Sequence, residues 1–262
     1  MAFSLTWLPT VPLDAGLKVA EQPGWQIRGR GDVGTISGVM CHHTAGARTG
    51  NMPSLGVLTN GRSDLPGPLA QLGLGRDGTF YVIAAGRANH AGVGNWQGIT
   101  AGNSSFVGIE AENTGHTSGP LADPWPAIQL DAYRRGCAAI LRKIRANAIM
   151  CCGHKEYALP QGRKQDPTFD MDEFRLQIAA IMAGTAPSPS VIPAVDAEDR
   201  PTLRRGDTGD LVEAIQVKVG VPRSGSFDAA TEAAVRQFQR DNGLTPDGIV
   251  GPRTWATMAA RE

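Results

Sequence analysis

The stretch GTISGVMCHH, residues 34–43, decides the fold of this chain. Its apolar run is bounded by glycines and ends at two adjacent histidines, His42 and His43. A short run of this kind predicts a buried strand that leads into a site. Neutral imidazole is a common metal ligand, but one histidine of a pair can also cap a strand end while the other fills a polar gap. The pair alone leaves both interpretations open.

Further strands follow along the chain. LGLGRDGTFYVIAAG, residues 72–86, predicts a hairpin that turns at Arg76-Asp77-Gly78, because Asp-Gly is a favoured two-residue turn. SSFVGIEAEN, residues 104–113, alternates so that Glu110 and Glu112 share one face of a strand. The other face of that strand carries Val107, Ile109 and Ala111. ANAIMCCGH, residues 146–154, is a further strand candidate.

Two helices are predicted between and after these strands. The first covers roughly residues 126–146, with apolar side chains at helical spacing: Leu130, Tyr133, Cys137, Leu141 and Ile144. The second begins at Asp170, with Glu173 in a position that resembles a capping box. It is expected to bury Met171, Phe174, Ile178 and Ile181. Strands mixed with helices of this length predict an α/β body with a mixed β-sheet flanked by helices.

The composition changes at residues 184–200, which are rich in Ala, Pro and Ser and lack helical periodicity. This segment predicts a linker between a body, residues 1–183, and a tail, residues 201–262. The tail repeats itself, because residues 225–235 align with residues 248–258 at an offset of 23. Each repeat is a turn that leads into a helix, so the tail is predicted to be a small all-α, three-helix domain.

Composition limits the range of partners. The 25 basic and 25 acidic side chains cancel, which gives no electrostatic case for nucleic acid or an anionic membrane. No apolar stretch approaches the roughly 18 residues of a membrane span, and the N-terminal residues do not resemble a signal peptide. We therefore expect synthesis in the cytoplasm, no membrane insertion and a monomer. The four cysteines, Cys41, Cys137, Cys151 and Cys152, fit no disulfide framework and are expected to be buried thiols.

A second group of polar residues lies in GHKEYALPQGRKQDPTFD, residues 153–170, which presents His154, Lys164 and Asp166. A histidine at a strand end and an aspartate in the following loop can reach one metal ion. Spacing alone is weak evidence for this, because Asp166 could equally cap a turn before Pro167. The chain has no His-Glu-x-x-His pattern and no Gly-x-Ser-x-Gly elbow, which argues against helix-borne zinc proteases and serine hydrolases.

Taken in order, VMCHHTAG, RANHAG, VGIEAEN and GHKEY…GRKQDPTF resemble the zinc N-acetylmuramoyl-L-alanine amidases, a family that includes phage endolysins and animal peptidoglycan-recognition proteins. The resemblance covers most of residues 30–183. In the tail, LRRGDTGDLVEAIQ, FDAATEAAVRQFQRDNGL and PDGIVGPRTW resemble the three-helix peptidoglycan-binding domain of many cell-wall hydrolases. Both resemblances imply peptidoglycan as the partner.

The resemblance implies a role for each matching residue. His42, His154 and Asp166 match the family's Zn²⁺ ligands. Glu110 matches the acidic residue that handles the attacking water, and Lys164 matches a group that stabilises the oxyanion. Four further residues are expected on the substrate side of the site: His43, His90, Thr44 and Asn113. His43 is also expected to support the metal by packing or hydrogen bonding, whereas His90 matches a position that lines the substrate groove.

Some alternatives stay open at this point. Some family members use a cysteine as third ligand, which makes Cys152 a rival to Asp166. Some phage members use a tyrosine before the Arg-Asp-Gly turn, but PLAQLGLGRDG contains none, so catalysis is expected to depend on Glu110. The expected function is cleavage of the amide between N-acetylmuramic acid and L-alanine by a phage or prophage endolysin, released by a separate membrane-permeabilising protein. The alternatives are a non-catalytic recognition protein, a wall-recycling amidase and an antibacterial toxin.

Overall fold

The computed structural model describes residues 2–186, 198, 200–244, 246 and 248–260. The chain divides into two units, Met1–Pro187 and Ser188–Glu262. Most of the predicted linker, residues 184–200, lies outside the described residues, so its conformation stays a prediction. Among the described residues, none of the helices has the combination of length and apolar character that crossing a bilayer requires.

The first unit is built on a six-stranded sheet with the order β1-β6-β5-β7-β2-β8. Its strands are β1 Val19–Glu21, β2 Gly38–His43, β5 Leu72–Leu74, β6 Phe80–Val82, β7 Phe106–Ala111 and β8 Cys151–Gly153, and a separate ribbon pairs β3 Gly61–Arg62 with β4 Leu65–Pro66. Only β5 and β6 are antiparallel within the large sheet, so the predicted mixed α/β architecture is confirmed.

The helices of this unit are α1 Thr10–Asp14, α2 Leu55–Asn60, α3 Gly102–Ser105, α4 Ala127–Lys143, α5 His154–Tyr157 and α6 Met171–Ala183, with 3-10 turns at Trp25–Ile27 and Ala148–Met150. Helix α4 confirms the helix predicted at 126–146, and α6 begins where it was predicted. The Asp170 carboxylate accepts hydrogen bonds from the backbone N–H groups of Asp172 and Glu173, which caps the first turn of α6.

Strand β2 shows why its sequence is so apolar. It lies between β7 and β8, pairs in parallel with both, and has side chains buried on both faces of the sheet. Val39 and Cys41 pack into the main core with α4 and α6, whereas Met40 packs on the opposite face with Phe106. His42 follows Met40 in strand alternation, so its side chain is turned away from the main core.

The predicted hairpin is also confirmed, since Leu72 pairs with Val82 and Leu74 with Phe80 in antiparallel register. Its loop is longer than the two-residue turn that we expected. The carboxylate of Asp77 accepts a hydrogen bond from the Thr79 backbone N–H at 2.9 Å, and Gly78 has a positive φ of 81°. The loop is therefore held by the aspartate side chain as well as by the glycine backbone.

The second unit contains α7 Asp210–Val219, α8 Ala229–Asp241 and α9 Pro252–Ala259, which confirms the predicted three-helix tail. Its duplication extends further back than the sequence comparison indicated. The Gln216 side chain bonds to Gly225 N and Thr231 Oγ1, and the Gln239 side chain bonds to Gly248 N and Thr254 Oγ1. Each pair of equivalent residues is 23 positions apart. The repeating unit is therefore a helix together with the following loop, to which the buried glutamine of that helix is hydrogen-bonded.

Candidate metal centre

Three polar side chains meet at the carboxyl edge of the sheet. His42 lies near the end of β2, His154 follows β8 directly, and Asp166 lies in the loop before α6. The Nδ1 atom of His42 is 3.1 Å from Nδ1 of His154 and 3.0 Å from Oδ2 of Asp166. His154 Nδ1 is 3.1 Å from the same carboxylate oxygen. We call these three residues the histidine cluster. The parallel strands bring them together, because the ends of β2 and β8 lie at one edge.

The histidine cluster has the spacing and the chemistry of a zinc site. Ligand atoms at about 2.0 Å from a tetrahedral zinc ion are separated by about 3.3 Å, close to the three distances in this structure. Burial lowers the pKa of His42 to about 4, although its hydrogen bond to Asp166 acts the other way, so the ring is neutral. Burial alone would raise the pKa of Asp166, but hydrogen bonds to His154 and His42 hold it well below its usual range. Two neutral imidazoles and one carboxylate are a donor set that zinc prefers.

The second nitrogen of each imidazole is also engaged. Nε2 of His154 lies 2.9 Å from the backbone oxygen of Ala91. A carbonyl oxygen only accepts, so this nitrogen donates. Nε2 of His42 lies 3.2 Å from Nδ1 of His90. The backbone N–H of Lys155 donates to the Asp166 carbonyl at 2.7 Å, which ties the loop of the third residue to α5.

Glu110 lies beside the histidine cluster, because the β2–β7 register places it opposite His42. Its Oε1 atom is 3.9 Å from His42 Nδ1, and its side chain is 15% exposed. Among the described residues no hydrogen-bond partner faces its buried Oε2 atom. Burial, with the charge of Asp166, raises the pKa of Glu110 to about 8, while Lys164 acts in the opposite direction. A carboxyl group with a raised pKa can both accept and release a proton near neutral pH.

Lys164 is exposed and lies in the loop that carries Asp166. Its positive charge contributes to lowering the pKa of His42 and opposes the rise in the pKa of Glu110, so it acts electrostatically on both groups. Its predicted role at the oxyanion stays a prediction.

The four residues expected on the substrate side have other contacts in this structure. Thr44 donates through Oγ1 to Oε1 of the buried Glu112 at 2.8 Å. Asn113 is fully buried and donates to the Asp123 carbonyl at 2.9 Å. His43 is half-buried, with its ring 6.4 Å from that of Trp125. The polar groups of Thr44 and Asn113 are therefore engaged with neighbouring protein groups, and a contact of these residues with substrate stays a prediction.

The expected place of His90 along the substrate groove stays a prediction. The residue is only 7% exposed, and Nδ1 of its ring lies 3.2 Å from Nε2 of His42. Burial lowers its pKa well below the usual range, with the charges of His42 and His154 adding to the effect. Sequence reasoning also missed Asn103 and Lys155, whose contacts hold the backbone near the site. The Asn103 side chain accepts two backbone N–H groups, and the Lys155 backbone N–H donates to the Asp166 carbonyl, contacts that have no local pattern in the sequence.

A second group of possible ligands lies on the other side of β2. The Cys41 sulfur is 3.5 Å from that of Cys151 and 3.8 Å from that of Cys137, and we call these three residues the thiol cluster. All are fully buried. Burial raises the pKa of Cys137, and hydrogen bonds to Cys137 and Cys41 raise that of Cys151, so both stay protonated. The cysteines are free thiols, as expected, and Cys152 lies apart from both clusters with Met40 and Phe106.

Comparisons with known proteins agree with this organisation. The family model described as N-acetylmuramoyl-L-alanine amidase matches residues 32–169, and the model described as putative peptidoglycan binding domain matches residues 212–258. An uncharacterized protein in the bpoA1 3' region of Kitasatospora aureofaciens is 41% identical over 83 residues, which are 29% of this chain and 70% of that protein.

Two further relatives match different shares of the chain. The zinc D-Ala-D-Ala carboxypeptidase of Streptomyces albus G is 42% identical over 62 residues, 21% of this chain, and the match spans only 24% of that enzyme. The amidase AmiD from E. coli, solved with the substrate anhydro-N-acetylmuramic acid-L-Ala-D-gamma-Glu-L-Lys, is 18% identical with a TM-score of 0.45, over 89% of this chain and 91% of that one. The amidase model alone covers more than half of the 262 residues. The chain therefore belongs to the N-acetylmuramoyl-L-alanine amidase family and carries a second segment of the peptidoglycan-binding type.

Proposed function

We propose that this protein is a zinc-dependent amidase that cleaves the bond between N-acetylmuramic acid and L-alanine in peptidoglycan. The observation that carries the proposal is the meeting of His42 Nδ1, His154 Nδ1 and Asp166 Oδ2 at 3.0 to 3.1 Å, with the Glu110 carboxyl beside them. Peptidoglycan is the polymer to which both family models point.

The side chains divide the work of amide hydrolysis. His42, His154 and Asp166 would hold the zinc ion, whose positive charge would polarise the amide carbonyl and favour ionisation of water. Glu110 takes a proton from the attacking water and gives it to the departing amine, which one carboxyl group can do in turn. Its Oε2 atom has no hydrogen-bond partner within the described part of the chain, so it is available to hold that proton. Lys164 adds positive charge near the developing oxyanion.

The tail gives the enzyme a second attachment to its substrate. A linked binding domain raises the local concentration of the catalytic unit on an insoluble polymer without any new contact at the active site. This arrangement favours action on intact wall over soluble fragments. We infer that the protein acts as a phage or prophage endolysin, which a separate membrane-permeabilising protein releases to the wall. Lysis from within cells that co-express such a protein, and its absence without that protein, would test this setting.

The bond cut is identified by mass spectrometry of purified wall after digestion. We expect stem peptides with a free L-alanine N-terminus and intact glycan strands that keep their lactyl groups. Glu110→Gln protein, loaded with the same amount of zinc, serves as the matched control and should release far less. New reducing ends in the glycan, or new termini inside the stem peptide, would contradict the proposed bond specificity.

The role of the tail is tested by sedimentation with insoluble wall. A chain that ends near Gly184 should cleave soluble muropeptides as the full chain does, but sediment less with wall. Equal sedimentation of the two proteins would contradict a targeting role for the tail.

A further inference from the structure

His90 occupies a buried position directly behind the candidate metal centre. Its Nδ1 atom lies 3.2 Å from Nε2 of His42, and the two rings meet edge to face, with an interplanar angle of 87°. The nitrogen of His42 that faces His90 is the one turned away from His154 and Asp166. His90 therefore contacts the histidine cluster from behind.

The backbone around His90 is held by one side chain. The Asn103 carbonyl oxygen, Oδ1, accepts the backbone N–H of His90 at 2.9 Å and that of Ala91 at 2.8 Å. Ala91 in turn accepts the Nε2 proton of His154 through its own carbonyl at 2.9 Å. The two consecutive residues that Asn103 holds thus touch the outer nitrogens of both imidazoles in the histidine cluster.

The sheet beneath His90 is shaped to receive its ring. A Cβ atom added to Gly108 on β7 would lie 2.7 Å from Cγ of His90 and 2.8 Å from its Nδ1, closer than real Cβ contacts. The ring therefore lies directly on the backbone of β7 two residues before Glu110. Any larger residue at position 108 would push the His90 ring away from His42.

We propose that His90, held by Asn103 and seated on Gly108, is a positioning residue that orients His42 for metal binding. A metal-bound imidazole commonly donates its other N–H to an acceptor, which fixes the tautomer and the ring orientation. For His154 that acceptor is the Ala91 carbonyl. For His42 it is the Nδ1 lone pair of His90, which keeps the lone pair of His42 Nδ1 directed towards His154 and Asp166.

This inference rests on the proposed zinc centre, and the test separates the two. Zinc affinity is measured by competition with a chromophoric chelator on the full-length wild type and on His90→Phe, which keeps a ring but removes the acceptor. We expect the variant to bind zinc about 10- to 100-fold more weakly, as loss of an outer hydrogen-bond partner usually costs. His90→Asn can place an acceptor oxygen near the position of Nδ1 and should recover much of the affinity.

The control variant is Asn89→Ala. Asn89 precedes His90, but its side chain donates to the Pro66 carbonyl at 2.9 Å and its backbone N–H to Pro68. Its removal should leave zinc affinity unchanged, which separates loss of the acceptor from general disturbance of the loop. If His90→Phe fails to fold, Asn103→Ala replaces it, because loss of the two backbone hydrogen bonds should weaken zinc binding in the same direction.

A spectroscopic readout distinguishes positioning from a merely structural role. In zinc-loaded wild type, the Nε2–H protons of His42 and His154 should both exchange slowly with solvent in ¹H–¹⁵N spectra. In His90→Phe only the His42 signal should shift and exchange faster, while the His154 signal stays as an internal control. A variant that binds zinc as tightly as wild type, with an unchanged His42 signal, would overturn the inference. Wild type that binds no zinc would instead overturn the proposed function.

Discussion

Strand β2 places two adjacent side chains, Cys41 and His42, into two different groups of possible metal ligands. On one face Cys41 meets two further sulfurs in the thiol cluster, and on the other face His42 meets a nitrogen and an oxygen in the histidine cluster. The thiol cluster is sealed under α4 and fully buried. The histidine cluster reaches the surface through Asp166, whose side chain is 13% exposed. Proximity of ligand atoms is common to both sites, whereas access to water distinguishes them.

The two clusters also differ in the chemistry of their donor atoms. The Asp166 carboxylate is ionised in its site and can offset part of the charge of a divalent ion. In the thiol cluster, burial raises the pKa of Cys137 and hydrogen bonds raise that of Cys151. Burial opposes ionisation of Cys41 as well, but hydrogen bonds with Cys137 and Cys151 lower its pKa to about 5. The phenol of Tyr133 on α4 accepts the His42 backbone N–H and donates to the Ile109 carbonyl. The comparison teaches that a metal site needs an opening to solvent as well as short distances between its ligand atoms.

The strongest test of this difference between the two clusters is to substitute Cys41 and His42 separately. His42→Ala removes one of three metal ligands. Zinc affinity should fall by more than roughly 100-fold, the most that loss of a hydrogen bond to a ligand usually costs, and hydrolysis should be lost. Cys41→Ala, one residue away, should keep zinc and turnover and reduce only stability. Zinc per chain after gel filtration, together with release of L-alanyl peptides, measures both. Loss of metal from Cys41→Ala with retention in His42→Ala would reverse the assignment.

Glu110 gives the next largest effect. Glu110→Gln keeps the shape of the side chain but cannot take a proton from water. We expect normal zinc content and normal wall binding, with turnover lower by about 10²- to 10⁴-fold, the usual contribution of a positioned acid–base group. Turnover close to wild type in a zinc-loaded variant would remove Glu110 from the mechanism.

The same variant should behave differently in stability measurements on zinc-free protein. Burial raises the pKa of Glu110 to about 8, whereas an unfolded glutamate titrates near 4.3. The stability that comes from the protonated carboxyl is therefore fully present below about pH 4 and is lost as pH rises towards 8. Glu110→Gln does not titrate, so its advantage over wild type should grow between pH 5 and pH 8 to a few kcal/mol. Urea unfolding of EDTA-treated proteins checks this, and a difference that does not change with pH would contradict the burial of an unpaired carboxyl.

The sequence predicted much of this arrangement. The strand that ends at His43, the alternation around Glu110 and the helix cap at Asp170 all follow from local patterns, and the structure contains each of them, although the strand covers only Gly38–His43 of the stretch 34–43. The spacing of His154 and Asp166 gave weak evidence that these two could share a metal ion. The addition of His42 was expected from resemblance, because it lies more than a hundred residues before both and such a distance has no local signature. The sheet order β1-β6-β5-β7-β2-β8 could not be predicted, since sheet order depends on contacts between distant segments.

The roles of neighbouring side chains were harder to predict, and the reason is orientation. His90 was expected on the substrate side because it matches a groove position of the family, and Thr44 and Asn113 were expected there too. The structure turns Thr44 towards Glu112, Asn113 towards Asp123 and His90 towards His42. Thr44 and His90 contact partners 68 and 48 residues away, Asn113 contacts one 10 residues away, and the space above Gly108 accommodates the His90 ring. A sequence motif marks the region of a site, but packing decides which way each side chain points.

The smallest effect is expected from a substitution in the thiol cluster, on the fully buried face of β2. Cys137→Ser exchanges a fully buried sulfur on α4 for a hydroxyl in the thiol cluster. Burying a hydroxyl without a good partner costs about 1–3 kcal/mol in proteins, although a helical serine can recover part of this by bonding to the carbonyl four residues earlier. We expect lower stability than in Cys137→Ala, which loses sulfur contacts but buries no new polar group, while zinc content and turnover per folded molecule stay at wild-type values. Thermal unfolding of the two variants, measured beside their zinc content, separates the possibilities. A serine variant at least as stable as the alanine variant would show a polar or hydrated cavity. A fall in bound metal would show that the thiol cluster is a second metal site. In that case the contrast between the two faces of β2 would no longer hold.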